Sequence, residues 1–224
     1  MIPAGFRKAV TFSYDDGNQQ DIRLIELFNQ YQVKGTFNLN SGLDDSQEWL
    51  YRDMPVRRLN LPEFTTLYQG HEIAVHGSQH RNMTELSPAE LHDEIISDRD
   101  RLAGLFGNVP VGMAYPYGAY SPEVIRALRR AGIRYARTVI SSYDFAPQTD
   151  LMAFRPTCHH DDEQLFALAE AFLHTESDQM QIFFLWGHSY EFDGNHNWDR
   201  LEKFLNLIAG KPDIFYGTNA EILL

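Results

Sequence analysis

The chain of 224 residues predicts an α/β fold in which parallel strands are covered by helices. Three observations predict it. Short apolar runs alternate with amphipathic segments along the whole length. Capped helix starts punctuate that alternation. The polar residues able to do chemistry fall just after the apolar runs, where strand C-terminal ends collect sites in such folds. Alternation of this kind suits either a barrel or an open sheet.

The elements follow in order. Lys8–Tyr14 reads as a buried strand ending at Asp15-Asp16. Asp21–Tyr31 carries Ile22, Leu24, Ile25, Leu27 and Phe28 at helical spacing. Lys34–Asn40 is strand-like and stops at Ser41-Gly42. Leu61–Gln69 reads as a helix with Pro62 in its first turn. Glu72–Val75 is a strand running straight into His76. Ser87-Pro-Ala-Glu90 places Ser at the N-cap, Pro at N1 and Glu at N3, so a helix starts there and runs to Phe106, where Gly107-Asn108 ends it. Val111–Tyr115 is the next strand, closed by Pro116-Tyr-Gly118. Ser121-Pro-Glu repeats the start signal before a helix reaching Ala131-Gly132. Ile133–Val139 is a strand, Asp161–Thr175 a helix, and Gln181–Trp186 a strand ending at Gly187-His188. Trp198–Ala209 is a last helix before the strand Ile214–Tyr216. No repeat, low-complexity segment or interdomain linker interrupts the series, so one domain spans 1–224.

Composition excludes several classes. A 43% hydrophobic and 13% aromatic content is that of a folded domain with a sizeable core. The net charge of −12 argues against nucleic acid, whose affinity rests on clustered Lys and Arg, and against anionic membrane. Nothing implies a protein partner. Cys158 is the one cysteine, so no internal disulfide forms. The N-terminus has no apolar signal region and no stretch is long enough to span a membrane. The expectation is a cytoplasmic protein, a secreted form staying open if the N-terminus is truncated.

The stretch Thr11-Phe-Ser-Tyr-Asp-Asp-Gly17 is the most informative. Two adjacent carboxylates after an apolar run are costly to bury together. A divalent cation removes the conflict, one carboxylate ligating it while the other stays ionised beside it as a base. His76 and His80, separated by three residues, complete a three-ligand site with positions open for water and substrate. The pair lacks a Glu after the first His, so it is not the helical zincin motif. The reading is a metal-dependent hydrolase.

These residues resemble the polysaccharide deacetylases, the NodB-homology or carbohydrate esterase family 4 domain, from about Lys8 to Leu223. The resemblance implies a distorted (β/α) barrel of about seven parallel strands with outer helices. It implies that Asp15 is the catalytic base, that Asp16, His76 and His80 hold one divalent ion (zinc first, cobalt or nickel also), and that His188, in Leu185-Trp-Gly-His-Ser189, is the general acid. Ala114-Tyr115-Pro116-Tyr117-Gly118 matches the latter part of a groove-lining motif that offers a backbone N–H to the oxyanion, which puts Tyr117 and Tyr115 at the substrate. Trp186 flanks His188 and suits stacking on a sugar ring. The Arg that begins that motif and pairs with the catalytic Asp is Ala114 here; Arg137 or Arg155 are the candidates to replace it. The Asp-Trp-like fourth motif is absent, and His159 or His160 can take its part by orienting His188 or touching substrate. Asn38 and Asn40 share a strand face, with structural hydrogen bonding as the default. The implied activity is removal of N-acetyl groups from poly- or oligosaccharides containing N-acetylhexosamine. The alternatives are hydrolysis of small linear or cyclic amides on the same fold, and an inactive sugar-binding relative.

Overall fold

The computed structural model describes residues 2–224. Strand β1 (Lys8–Asp15) is buried from Ala9 onward. Helix α1 (Asp21–Gln30) turns Leu24, Ile25 and Phe28 inward, and β2 (Gly35–Leu39) is buried throughout. An antiparallel hairpin follows, β3 (Glu48–Tyr51) with β4 (Met54–Arg57). Its two-residue turn, Arg52-Asp53, has both residues at positive φ, 49° and 62°, the combination a type I′ turn demands and usually fills with Asn and Gly.

The helix expected over Leu61–Gln69 does not form. Only Leu61–Glu63 makes a 3₁₀ turn, and the bonds after it (Leu67 N–H to Phe64, Gln69 N–H to Thr66, His71 N–H to Tyr68) all span three residues rather than four. The adjacent β-branched Thr65 and Thr66 are poor helix formers, and the winding chain drops Tyr68 into the core against Phe37.

Beyond it come β5 (Glu72–Val75) and α2 (Pro88–Phe106), whose capping box joins Ser87 and Glu90 and whose end is Gly107 at φ 78°. Then follow β6 (Gly112–Ala114), α3 (Pro122–Arg130) capped by Ser121, β7 (Tyr135–Arg137) and the two-residue β8 (Cys158–His159). Helix α4 (Leu165–His174) starts later than its periodicity predicts, because Asp162 and Leu165 close turns onto His159 and Asp162 first. The chain finishes with β9 (Gln181–Gly187), α5 (Tyr190–Gly194), α6 (Trp198–Ile208), β10 (Ile214–Tyr216) and α7 (Asn219–Leu223).

Seven strands lie in the order β7-β6-β5-β2-β1-β9-β8, every pairing parallel. Strand β10 takes the first half of β1, at Lys8–Val10, on the edge that β2 takes from Phe12 onward. The sheet curls on itself. Phe154 is bonded to Ala136 and Thr138 beside β7, while Thr157 three residues on is bonded to Phe184 of β9. One segment therefore joins the two ends of the sheet into a distorted (β/α) barrel.

Side-chain alternation decides what faces where. Val10, Phe12 and Tyr14 of β1, Phe37 and Leu39 of β2, and Phe183 and Leu185 of β9 enter the main core under the helices. The alternate positions form the barrel's own filling: Ala9, Phe154, Ile182, Phe184 and Trp186 pack together with Ile222. Polar groups share that filling at one end. Thr11 Oγ1 bonds Asn219 Oδ1 at 2.8 Å, Thr36 Oγ1 accepts the Asn219 N–H, and Glu72 accepts the Ala220 N–H. Helix α7 thus plugs the bottom of the barrel. The strands' C-terminal ends are left as the mouth.

Candidate active site

Asp15 is the last residue of β1 and faces that mouth from inside. Asn38 Nδ2 donates to its Oδ1 at 2.8 Å, and the Arg137 guanidinium donates to Oδ2. Arg137 is 1% exposed on its side chain. It also bonds Ser13 Oγ at 3.2 Å and the Thr138 carbonyl at 3.1 Å, and lies over Trp186, 4.3 Å from the ring centre. Burial pushes the Asp15 carboxyl up, but Arg137 with His76 and His188 outweighs it and holds the group below the usual carboxylate range. Ala114 and Arg137 are register partners across β6 and β7. The small side chain at 114 leaves the space that the arginine from the next strand fills. Arg155 does not join: it is exposed, and its backbone pairs with the Gln148 side chain.

Asp16 follows at φ 79°, a left-handed conformation that Asp tolerates better than most residues. It turns the second carboxylate away from the first and toward the histidines. Its Oδ1 lies 3.9 Å from His76 Nε2 and 3.6 Å from His80 Nε2. His76 Nδ1 is 2.8 Å from the Ala114 carbonyl, which places the ring proton there and leaves the Nε2 lone pair facing the mouth. The two imidazole centres are 4.8 Å apart. Burial lowers the His80 pKa to about 4, so this ring is neutral and able to ligate at neutral pH.

The loop that presents the two histidines is held from behind by α2. Asp98 accepts the His76 N–H at 3.0 Å and the Ser41 N–H at 2.7 Å. Glu94 Oε1 accepts the Gln79 and Arg81 N–H groups at 2.9 and 3.1 Å. Gly77, at φ 79°, has no room for a side chain, since a Cβ there would sit 2.8 Å from the same Glu94 oxygen. Asp16, His76 and His80 offer one carboxylate oxygen and two imidazole nitrogens within 4.8 Å of one another. That donor set, with one ring tautomer fixed and the other ring neutral, fits a borderline-soft divalent cation.

On the other side stands His188, just past β9. Its Nε2 is 3.9 Å from Asp15 Oδ2 and its Nδ1 3.3 Å from Glu191 Oε2. Burial alone lowers its pKa, but Glu191, Asp15 and Asp16 together raise it to about 9. Glu191 Oε2 also accepts the His188 backbone N–H at 3.0 Å and faces His159 Nε2 at 3.1 Å and His160 Nε2 at 3.2 Å. These imidazoles hold Glu191 far below the carboxylate range against its burial. His159 Nδ1 accepts the Asp161 N–H, so its proton sits on Nε2, toward Glu191. His160 is buried between Tyr14 and Phe192, lowered by that burial to about 4. A Cβ at Gly187 would collide with it at 2.1 Å.

Tyr117, 69% exposed and at φ 58°, stands at the rim with its ring 4.7 Å from His80. Tyr115 does not reach the mouth. It is buried, its hydroxyl bonded to the Met152 carbonyl at 2.7 Å and its ring stacked on Tyr120. Trp186 is buried between Arg137 and His159. Cys158 is buried, and burial pushes its thiol up to about 12, which keeps it an inert thiol.

Two residues of the cluster went unassigned in the sequence. Glu191 sits one turn past His188 on α5, a spacing visible only once that helix is known. Arg58 follows the β3–β4 hairpin and bonds Asp16 Oδ1 at 3.1 Å; no motif marks it.

Residues 4–136 match the model of the family described as polysaccharide deacetylase. A chitooligosaccharide deacetylase of Bradyrhizobium sp. (strain ANU 289) is 25% identical over 159 residues, which cover 66% of this chain and 67% of that protein. A peptidoglycan-N-acetylglucosamine deacetylase of Listeria monocytogenes is 23% identical over 120 residues, 52% of this chain but 23% of the relative's length. Among solved structures, a family 4 carbohydrate esterase from Streptomyces lividans in complex with acetate superposes with a TM-score of 0.57. Its identity is 16%, covering 90% of this chain and 89% of that one. Among the described residues, no helix is long and apolar enough to cross a membrane.

Proposed function

Because more than half of the chain matches the polysaccharide deacetylase family model and the chain therefore belongs to that family, we propose that it is a metal-dependent amidohydrolase that removes N-acetyl groups from saccharides containing N-acetylhexosamine. The observation that carries the proposal is one mouth holding three metal-capable donors, an arginine-held carboxylate and a histidine raised to about 9. The named substrates of the relatives, chitooligosaccharide and peptidoglycan N-acetylglucosamine, point to the same class of amide.

A divalent ion held by Asp16, His76 and His80, zinc in the first place, would polarise the acyl carbonyl and bring the pKa of a water from about 15.7 toward about 7. Asp15 accepts that water's proton as it attacks. Arg137, with His76 and His188, holds the Asp15 carboxyl below the usual carboxylate range, which makes it a weak base by itself. Asn38, on its other oxygen, fixes which lone pair meets the water. The turn at Pro116–Gly118 uses the Gly118 and Ala119 N–H groups for its own bonds, leaving the Tyr117 N–H to the oxyanion. Such a donor is worth roughly 3–4 kcal/mol of transition-state stabilisation. His188, protonated up to about pH 9, gives its proton to the departing amine, and its Nε2 faces Asp15 across 3.9 Å.

The test pairs elemental analysis of the purified protein with acetate release from N-acetylglucosamine oligomers before and after chelation. About one divalent ion per chain and chelator-sensitive acetate release are expected. Bound metal without acetate release redirects the search to small amides. A chain that takes up no zinc, cobalt or nickel overturns the metal-dependent reading.

A further inference from the structure

Arg58 has no place in the chemistry above, yet it touches its centre. It is 9% exposed, and its ion-pair partner Asp16 is 6% exposed. The oxygen it holds at 3.1 Å, Asp16 Oδ1, is the same one that faces His76 and His80 at 3.9 and 3.6 Å. We infer that Arg58 is a built-in competitor for the cation: it neutralises Asp16 in the metal-free chain and sets a low affinity that the incoming ion must overcome. The inference rests on the proposed metal site at Asp16, His76 and His80.

The guanidinium cannot swing clear when a cation arrives. It lies over Trp49, 4.6 Å from the ring centre, and Trp49 in turn abuts Tyr190 edge-on at 5.6 Å. Its Nε is 3.4 Å from Asn40 Oδ1. Its backbone is bridged to Asn18, and the next residue, Leu59, bonds the Gly17 carbonyl at 2.8 Å. A fixed positive charge thus stands one oxygen away from wherever Asp16 Oδ1 holds a cation. The two repel, and even at water-like screening a unit charge against a divalent one at such a separation is worth about tenfold in affinity. Without a metal, the same charge removes the penalty of a buried, uncompensated carboxylate.

A merely structural ion pair makes the opposite forecast. If Arg58 only braced Asp16, removing it would loosen the site and weaken metal binding. If it competes, removing it tightens binding.

The experiment titrates zinc and cobalt, against a chromophoric chelator, into metal-stripped wild type, Arg58→Met, Arg58→Gln and Arg58→Lys. Met keeps the length that packs on Trp49, Gln keeps polarity should Met fold poorly, and Lys keeps the charge. The expected result is at least tenfold tighter binding in the Met and Gln variants, with Lys within about threefold of wild type. Melting should agree: metal-free Arg58→Met melts below wild type and gains more on adding zinc. Asp16→Asn should abolish binding in either background. Equal or weaker binding in folded Arg58→Met and Arg58→Gln overturns the inference and leaves the metal site standing. Absence of binding in all of these chains removes the metal site and the competitor together.

Discussion

Replacing Glu191 by Gln tests the acid directly. The substitution removes one charge 3.3 Å from His188 Nδ1 and keeps an oxygen able to accept the His188 backbone N–H, bonded at 3.0 Å. A unit charge at that distance is worth roughly 1 to 5 kcal/mol between water-like screening and an effective dielectric of about 20. At 1.36 kcal/mol per unit this is roughly one to nearly four units of pKa. A central value of about two units brings His188 from about 9 down to about 7. The assay is kcat/KM for acetate release against pH, whose alkaline limb reports the acid in the free enzyme. That limb should fall near pH 9 in wild type and near 7 in the variant, a loss of about tenfold at pH 8 with near equality at pH 6. The stability consequence has a definite sign. His188 is raised above its unfolded value, so its contribution is complete below about 6.5 and lost as pH rises through about 9. Glu191 is depressed, so its contribution is present above its unfolded value and lost in acid. The pair therefore stabilises wild type over Glu191→Gln across neutral pH, with the difference shrinking at both ends. An alkaline limb that does not move, in a folded variant, refutes the assignment of Glu191 as the group that positions and charges His188.

Asp15→Asn should keep its metal and lose about 10²–10⁴-fold in turnover, read by metal analysis beside acetate release; ordinary turnover would remove Asp15 as the base. His80→Ala should lose metal and activity together, and activity persisting without metal would sink the metal-assisted mechanism. Asp21 is fully buried, bonded by Ser189 Oγ and Tyr68, and burial raises its pKa to about 7. Its folded value lies above the unfolded one, so wild type loses stability as pH rises from about 4 to about 7, by about 4 kcal/mol in all. Asp21→Asn should therefore gain on wild type in melting temperature from pH 5 to pH 8, and a constant difference would show that Asp21 stays ionised throughout.

What the sequence spells and what it hides divide along a physical line. Local chemistry is written locally. The box Ser87–Glu90 starts α2 where it does, the apolar run of β1 stops at the Asp pair, and Glu72–Val75 delivers His76 to the mouth. Register is not written locally, and it decides the arginine. Nothing near Ala114 tells that Arg137 is its neighbour across the sheet, nor that Arg155 is left exposed outside the mouth. The β3–β4 hairpin is hidden for another reason. Its turn carries Arg and Asp at positive φ instead of the glycine or asparagine that announces such turns, so Trp49 and Arg58 arrive at the site unheralded. The polar lining of the barrel, with Thr11, Thr36 and Glu72 tied to α7, is hidden because strands buried on both faces show no hydrophobic alternation.

The same line explains the charge balance of the mouth. Asp15 and Asp16 are adjacent in the chain and would repel if left alone. Each instead has its own arginine, Arg137 on the first and Arg58 on the second, brought from opposite sides by β7 and by the segment after the hairpin. The left-handed turn at Asp16 is what separates the carboxylates enough for both pairs to form. On the proposed mechanism, one arginine sits on the carboxylate that serves as base. The other sits on the carboxylate that a metal would claim, and so the two ion pairs, alike in chemistry, have opposite consequences for function.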